Sequence, residues 1–133
     1  MTEKRVGIKV ESDIVAARQA GREMARELGF GSADQTRLAT AISELARNAL
    51  QYASEGDCVV TDESDQNMLR IRVVVEDYGS GIPDIEKAMQ DGFSTGGGLG
   101  AGLPGAKRLV QEFDIESQPG HTKITIAMVR RRM

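Results

Sequence analysis

Residues 76–102 read E-D-Y-G-S-G-I-P-D-I-E-K-A-M-Q-D-G-F-S-T-G-G-G-L-G-A-G. Ahead of them, Leu69, Ile71, Val73 and Val75 alternate with Arg70, Arg72 and Glu76. That two-residue period predicts a half-buried strand, and Asp77 closes it with a carboxylate. Gly79 and Gly81 follow in a tight turn, Pro83 suits the first turn of a short helix over 84–90, and six of the twelve residues from Asp91 to Gly102 are glycine. A loop that rich in glycine lets bare backbone N–H groups approach an anion closely. It opens onto a helix beginning near Leu103, and helix N-termini carry unpaired N–H groups and the positive end of the dipole. The stretch reads as a phosphate-covering lid on a nucleotide site. Phe93, Leu99 and Leu103 supply apolar anchors that a solvated linker lacks.

Upstream, Val6, Ile8 and Val10 alternate as a short strand. Ser12 and Asp13 open a helix whose core face is Ile14, Ala17, Gly21, Met24 and Leu28; its other face, Arg18, Arg22, Glu23 and Arg26, is solvated. A second helix is expected from Ser32, where S-A-D-Q matches a capping box with Gln35 reaching back, to about Ala53. Leu38, Ile42, Leu45 and Ala49 are its core stripe. Glu44 and Asn48 stand four apart on a face bordering that stripe, with Arg37 and Thr40 beside them. Val59 and Val60 pair with the Leu69–Val75 strand as a hairpin. Downstream, Ala106, Leu109, Val110 and Phe113 space as one helix stripe, and a strand begins near Ile115. Pro119-Gly120 turns the chain into Ile124, Ile126 and Met128. About five strands and four helices without regular βαβ alternation predict an α+β fold. It is a two-layer sandwich, with helices on one face of a mixed, mostly antiparallel sheet.

The 133 residues fit a single domain with one core, 1–133. A net charge of −3 implies no broad basic surface for nucleic acid, and Arg130, Arg131 and Arg132 are expected as a frayed tail. The single cysteine, Cys58, excludes an intrachain disulfide and suits a reducing cytoplasm. No window approaches the roughly 20 apolar residues of a membrane span.

Two glycine motifs are excluded. Gly97 to Gly102 has Walker A spacing, but Leu103-Pro104 stand where lysine and a hydroxyl are required. Gly100, Gly102 and Gly105 spell the dinucleotide fingerprint without the strand it needs in front. What remains, in order, is E-L-A-R-N (Glu44 to Asn48), D-Y-G-S-G-I (Asp77 to Ile82) and G-G-G-L-G-A-G-L (Gly96 to Leu103). This combination resembles the GHKL ATPase/kinase family. The phrases A-I-S-E-L-A-R-N, D-G-F-S-T-G-G-G-L-G-A-G-L-P-G and D-I-V-A-A-R-Q look most like its RsbT-type switch-protein serine/threonine kinase branch, across nearly the whole chain.

The resemblance implies ATP and Mg²⁺ as cofactors and transfer of phosphate to a STAS-domain antagonist or scaffold of a stressosome partner switch. It also implies a PP2C-type phosphatase that the released kinase activates. An anti-sigma-factor kinase and an ATP-set binding switch without chemistry are the alternatives. Carried over position by position, Asp77 accepts a hydrogen bond from the adenine amino group and Gly79 and Gly81 leave room for the ring, with Ile82 beside them. Asn48 holds Mg²⁺ and Glu44 is the general base. Gly96, Gly97, Gly98, Leu99, Gly100, Ala101, Gly102 and Leu103 cover the phosphates. Arg47, Lys107 and Mg²⁺ are candidates to neutralise the γ-phosphate, since Ser94 and Thr95 stand where related anti-sigma kinases carry an arginine. The family's G-x-G-T reads P-G-H-T here, with His121 as a turn residue and Thr122 at the pocket.

Overall fold

The computed structural model describes residues 2–53, 55–79, 81, 89 and 102–132. Apart from residue 89, the expected short helix over 84–90 lies outside that set, as do Ile82 of the ring pocket and the lid residues Gly96, Gly97, Gly98, Leu99, Gly100 and Ala101. In chain order the elements are β1 (Glu3–Ile8), α1 (Ser12–Leu28), α2 (Ser32–Tyr52), β2 (Gly56–Asp62), β3 (Met68–Asp77), α3 (Gly102–Leu109), β4 (Glu112–Gln118) and β5 (His121–Arg131). The sheet runs β1-β2-β3-β5-β4, and all four pairings are antiparallel. The expected α+β sandwich is present, and among the described elements its sheet is antiparallel throughout.

Alternation decides which face is buried. Cys58 and Val60, Leu69, Ile71, Val73 and Val75, and Ile124, Ile126 and Met128 point to one side and are buried. There they join Ile14, Ala17 and Met24 of α1, Leu38, Ile42, Leu45 and Ala49 of α2, and Leu103 and Ala106 of α3 in one core. Burying that many branched side chains is the main stabilising term, at roughly 1.5–3 kcal/mol each before entropy is set against it. Lys4, also on the covered side, closes the β1 edge by pairing with Glu23 and Glu27 of α1. On the other side, Arg70 donates to both oxygens of Glu112, two strands away. Ala127, partner of Glu112 on β5, is small enough to lie under that pair and is 1 % exposed.

Several local expectations are corrected. The Ala106–Val110 stripe is helical only to Leu109, and Phe113 is already in β4 with Ile126 opposite. The C-terminal arginines are no frayed tail. Arg130 and Arg131 pair with Leu69 and Met68 in the ladder. Arg130 donates to both oxygens of Asp34 (2.6 and 2.8 Å), Arg37 donates to the same carboxylate at 2.9 Å, and Arg132 donates to the Asp65 carbonyl at 2.7 Å. The clasp pins the first turn of α2 to the end of β5. Hydrogen bonds from Arg130 hold the Asp34 carboxyl below the usual carboxylate range against the opposing effect of burial. Gln35 does reach back, but its amide donates to the Phe30 carbonyl (2.9 Å) instead of closing a capping box. At the start of α1, Ser12 gives no side-chain cap; Asp13 accepts N–H bonds from Lys9 and Val10.

Candidate functional site

The register of the sheet collects polar groups at one end. Ile8 pairs with Gly56, Gly56 with Asp77, Asp77 with Thr122, and Thr122 with Ser117. One row thus crosses all five strands on the covered face. Charged and hydroxyl groups are rare on a buried sheet face, because each must be paired to offset lost hydration. Asp77 is 2 % and Thr122 1 % exposed. Thr122 Oγ1 and Ser117 Oγ are 2.6 Å apart. Asp77 accepts the Gly79 N–H at 3.1 Å, an Asx-type turn, and its other oxygen has no partner among the described residues. Burial pushes the Asp77 carboxyl up from its ordinary value, opposed by the Gly79 N–H and by the nearby His121. A half-paired buried carboxylate of this kind is suited to accept from a ligand donor.

The turn after β3 is clamped between neighbours. A Cβ on Gly79 would stand 2.1 Å from the Tyr52 carbonyl oxygen and 2.6 Å from Ala53 Cβ. Gly81, at φ +83°, would place one 2.6 Å from the Gln118 carbonyl oxygen. Close packing against the chain itself therefore demands glycine at both positions, in addition to any room they leave for a ring. The Gly120 N–H donates to Gly79 O at 2.9 Å, tying the β4–β5 turn to the Asp77 turn. His121, in place of the expected glycine, bonds Glu76 at 2.8 Å, and its ring lies 5.2 Å from that of the exposed Tyr78.

α2 brings the second group. Its last residue, Tyr52, and the Ala53 that caps it abut Gly79, so the preceding turns carry Asn48, Arg47 and Glu44 towards the same end of the sheet. Glu44 is 5 % exposed, and Arg47, one turn on, donates to it at 3.0 Å. Arg47, expected at a phosphate or in solvent, is bonded to that carboxylate. Asn48 is half-buried. Gly102, at φ +68°, opens α3, and Leu103 and Pro104 are buried where α3 packs on α2. Pro104 costs no bond there, since the first-turn N–H groups have no partner within a helix. Lys107 is exposed. A cavity of about 440 Å³ beside the row is lined by Ile115, Glu116, Ser117, Gln118 and His121. Ser117 belongs to none of the sequence motifs; its alternation with Ile115 and Phe113 marks a strand and gives no sign of the site.

A sheet end with a buried acid, flanked by a helix bearing Glu44 and Asn48, defines a class. The chain belongs to the histidine kinase-, DNA gyrase B-, and HSP90-like ATPase family, whose model matches residues 33–132. It is 56 % identical over 115 residues to the serine/threonine-protein kinase RsbT of Bacillus subtilis (strain 168), covering 86 % of each chain. It shares that relative's activity class, transfer of phosphate from ATP to protein serine or threonine. It is also 34 % identical over 85 residues to the anti-sigma F factor of Thermoanaerobacter sp. (strain X514), covering 61 % of this chain and 59 % of that one. Among solved structures, the RsbU and RsbW domains of a Mycobacterium tuberculosis protein share the fold. The TM-score is 0.66 at 20 % identity, over 98 % of this chain and 33 % of that longer one. The Pseudomonas aeruginosa SiaB–SiaC complex matches at TM-score 0.59 and 13 % identity, over 98 % and 90 % of the two chains. No helix among the described residues is long and apolar enough to cross a membrane.

Proposed function

We propose that this kinase phosphorylates a STAS-domain antagonist or scaffold protein in a stressosome-type partner switch, in the cytoplasm, and on release binds and activates a PP2C-type phosphatase. The observation that carries the catalytic part is the pairing of Glu44, buried and ionically held, with Asn48 one turn further along α2. The partner classes rest on the resemblance to RsbT.

The residues present suit Mg-ATP. The free oxygen of Asp77 accepts from the base, with Thr122 beside it in the ladder. Asn48 contributes an amide oxygen to Mg²⁺, a cation that prefers one or two protein oxygens plus waters and phosphates. Gly102 and Leu103 present the first N–H groups of α3 to the phosphates. Bound Mg-ATP supplies the phosphoryl group. Glu44 orients the acceptor hydroxyl and takes its proton; the loose transition state of phosphoryl transfer demands position more than basicity. Arg47 fixes Glu44 in that position.

Single-turnover transfer of labelled γ-phosphate to a purified STAS protein tests this reading. Glu44→Gln keeps the shape, and its amide oxygen still accepts the Arg47 bond, so ATP should remain bound. Transfer should fall by roughly 10²–10⁴-fold, the usual share of a general base. Wild-type transfer by Glu44→Gln refutes the base assignment. Labelling of a sigma factor's regulator in preference to any STAS protein would favour the anti-sigma reading, which the 34 % relative supports.

A further inference from the structure

We infer that Ser117 is a positioning residue for the nucleotide base, acting through the Thr122 hydroxyl. The inference rests on the reading of Asp77 as the base acceptor and deepens it. Asp77, Thr122 and Ser117 occupy one row on the covered face of three adjacent strands. Thr122 is 1 % exposed, so water cannot be relied on to direct its hydroxyl. Its fixed partner is Ser117 Oγ, at 2.6 Å.

A hydroxyl offers one proton and two lone pairs, and its rotor follows its strongest neighbour. When Ser117 donates to Thr122, the Thr122 proton is released to point along the row towards the ligand. The row then presents an acceptor, ionised Asp77, next to a donor, Thr122. Adenine presents the complement, an amino donor next to a ring-nitrogen acceptor. Guanine presents an oxygen acceptor next to an N–H donor and mispairs at both positions. A site built to hydrogen-bond one base discriminates because the wrong one leaves its buried polar groups unpaired. Without the serine hydroxyl, the Thr122 rotor is free to present either sense, and the discrimination weakens.

The experiment is calorimetric titration of ATP and GTP into the full chain and into Ser117→Ala, Ser117→Thr, Thr122→Val, Asp77→Asn and the Ser117→Ala/Thr122→Val pair. Ser117→Ala should lower the ATP-over-GTP affinity ratio by about tenfold, equivalent to ~1.4 kcal/mol. Ser117→Thr keeps the hydroxyl on a residue that suits a strand, and should restore the ratio. In the Thr122→Val background, Ser117→Ala should leave the ratio where Thr122→Val put it. A structural defect at β4 would weaken both nucleotides together and leave the ratio intact, which overturns the inference. A ratio that still falls in the Thr122→Val background overturns it too, since Ser117 would then act directly. If Asp77→Asn weakens ATP while Ser117→Ala changes no ratio, only the inference fails. If Asp77→Asn binds ATP as the wild type does, the base-site reading fails and takes the inference with it.

Discussion

Asp77→Asn should move ligand affinity and fold stability in opposite directions. The carboxylate is almost fully enclosed, and burial raises its pKa, so the ionised form is held at a cost in the folded chain. An acid with a raised folded pKa gives up stability as pH rises from its unfolded value, near 3.9, through the folded one. Above the folded value that cost is fully present, and a neutral amide removes it while its oxygen still accepts the Gly79 N–H. The apo variant should therefore melt at or above the wild-type temperature. Affinity goes the other way. A bond to a charged group contributes about 1.5–3 kcal/mol against about 0.5–1.5 for a neutral one, and the new NH₂ would face the amino donor of the base at a further ~1–3 kcal/mol. The sum, about 2–4 kcal/mol, predicts a loss of roughly 30- to 1,000-fold in ATP affinity. Wild-type affinity should also drop as pH falls through the raised Asp77 pKa, a step absent from the variant. Calorimetry with ATP across pH and thermal melting of the apo proteins read both signs. Unchanged affinity together with a lowered melting temperature would show that Asp77 is a structural acid and refute the reasoning.

Asn48→Ala removes the proposed metal ligand, so ATP affinity should weaken and lose its dependence on Mg²⁺, as read by titration with and without the ion. Arg130→Ala strips two of the three bonds from the Asp34 carboxylate, which is 8 % exposed. A loss of about 1–3 kcal/mol is expected in urea denaturation at pH 7. Because the Asp34 pKa is lowered in the fold, this stability is present above the ordinary aspartate value and is lost as pH falls through the folded one. The gap between Arg130→Ala and wild type should accordingly close in acid.

The parts of the fold legible from sequence are those governed by neighbours along the chain. Leu69 to Val75 and Ile124 to Met128 announce their strands by a period of two, and Leu38 to Ala49 announce α2 by a period near 3.6. Phe113 satisfied both rules, three residues from Val110 and two from Ile115, and pairing with Ile126 decided it. The role of Arg130 was invisible because its partner Asp34 lies 96 residues away. The row at the site was half legible. Asp77 and Thr122 could be singled out by motif. Ser117 could not, because its meaning comes only from standing opposite Thr122 in the β4–β5 register. Nor could any spacing reveal that Gly79 is required by the Tyr52 carbonyl.

The join between the Asp77 turn and the β4–β5 turn has a thermodynamic consequence. Glu76 and His121, bonded at 2.8 Å, stand 45 residues apart in the chain. Closing a flexible loop of that length costs about 3 kcal/mol of chain entropy, and the β3–β5 ladder must meet it before the row exists. A half-folded chain therefore has no partial version of the site to offer. Whatever spans Asp77 and Thr122 binds the closed form alone, so its free energy is added to the whole fold by mass action, about 2.7 kcal/mol at a hundred times its Kd. Nucleotide should then raise the melting temperature of the entire chain as one cooperative unit, and a cell that runs low on ATP would hold this kinase as a measurably less stable protein.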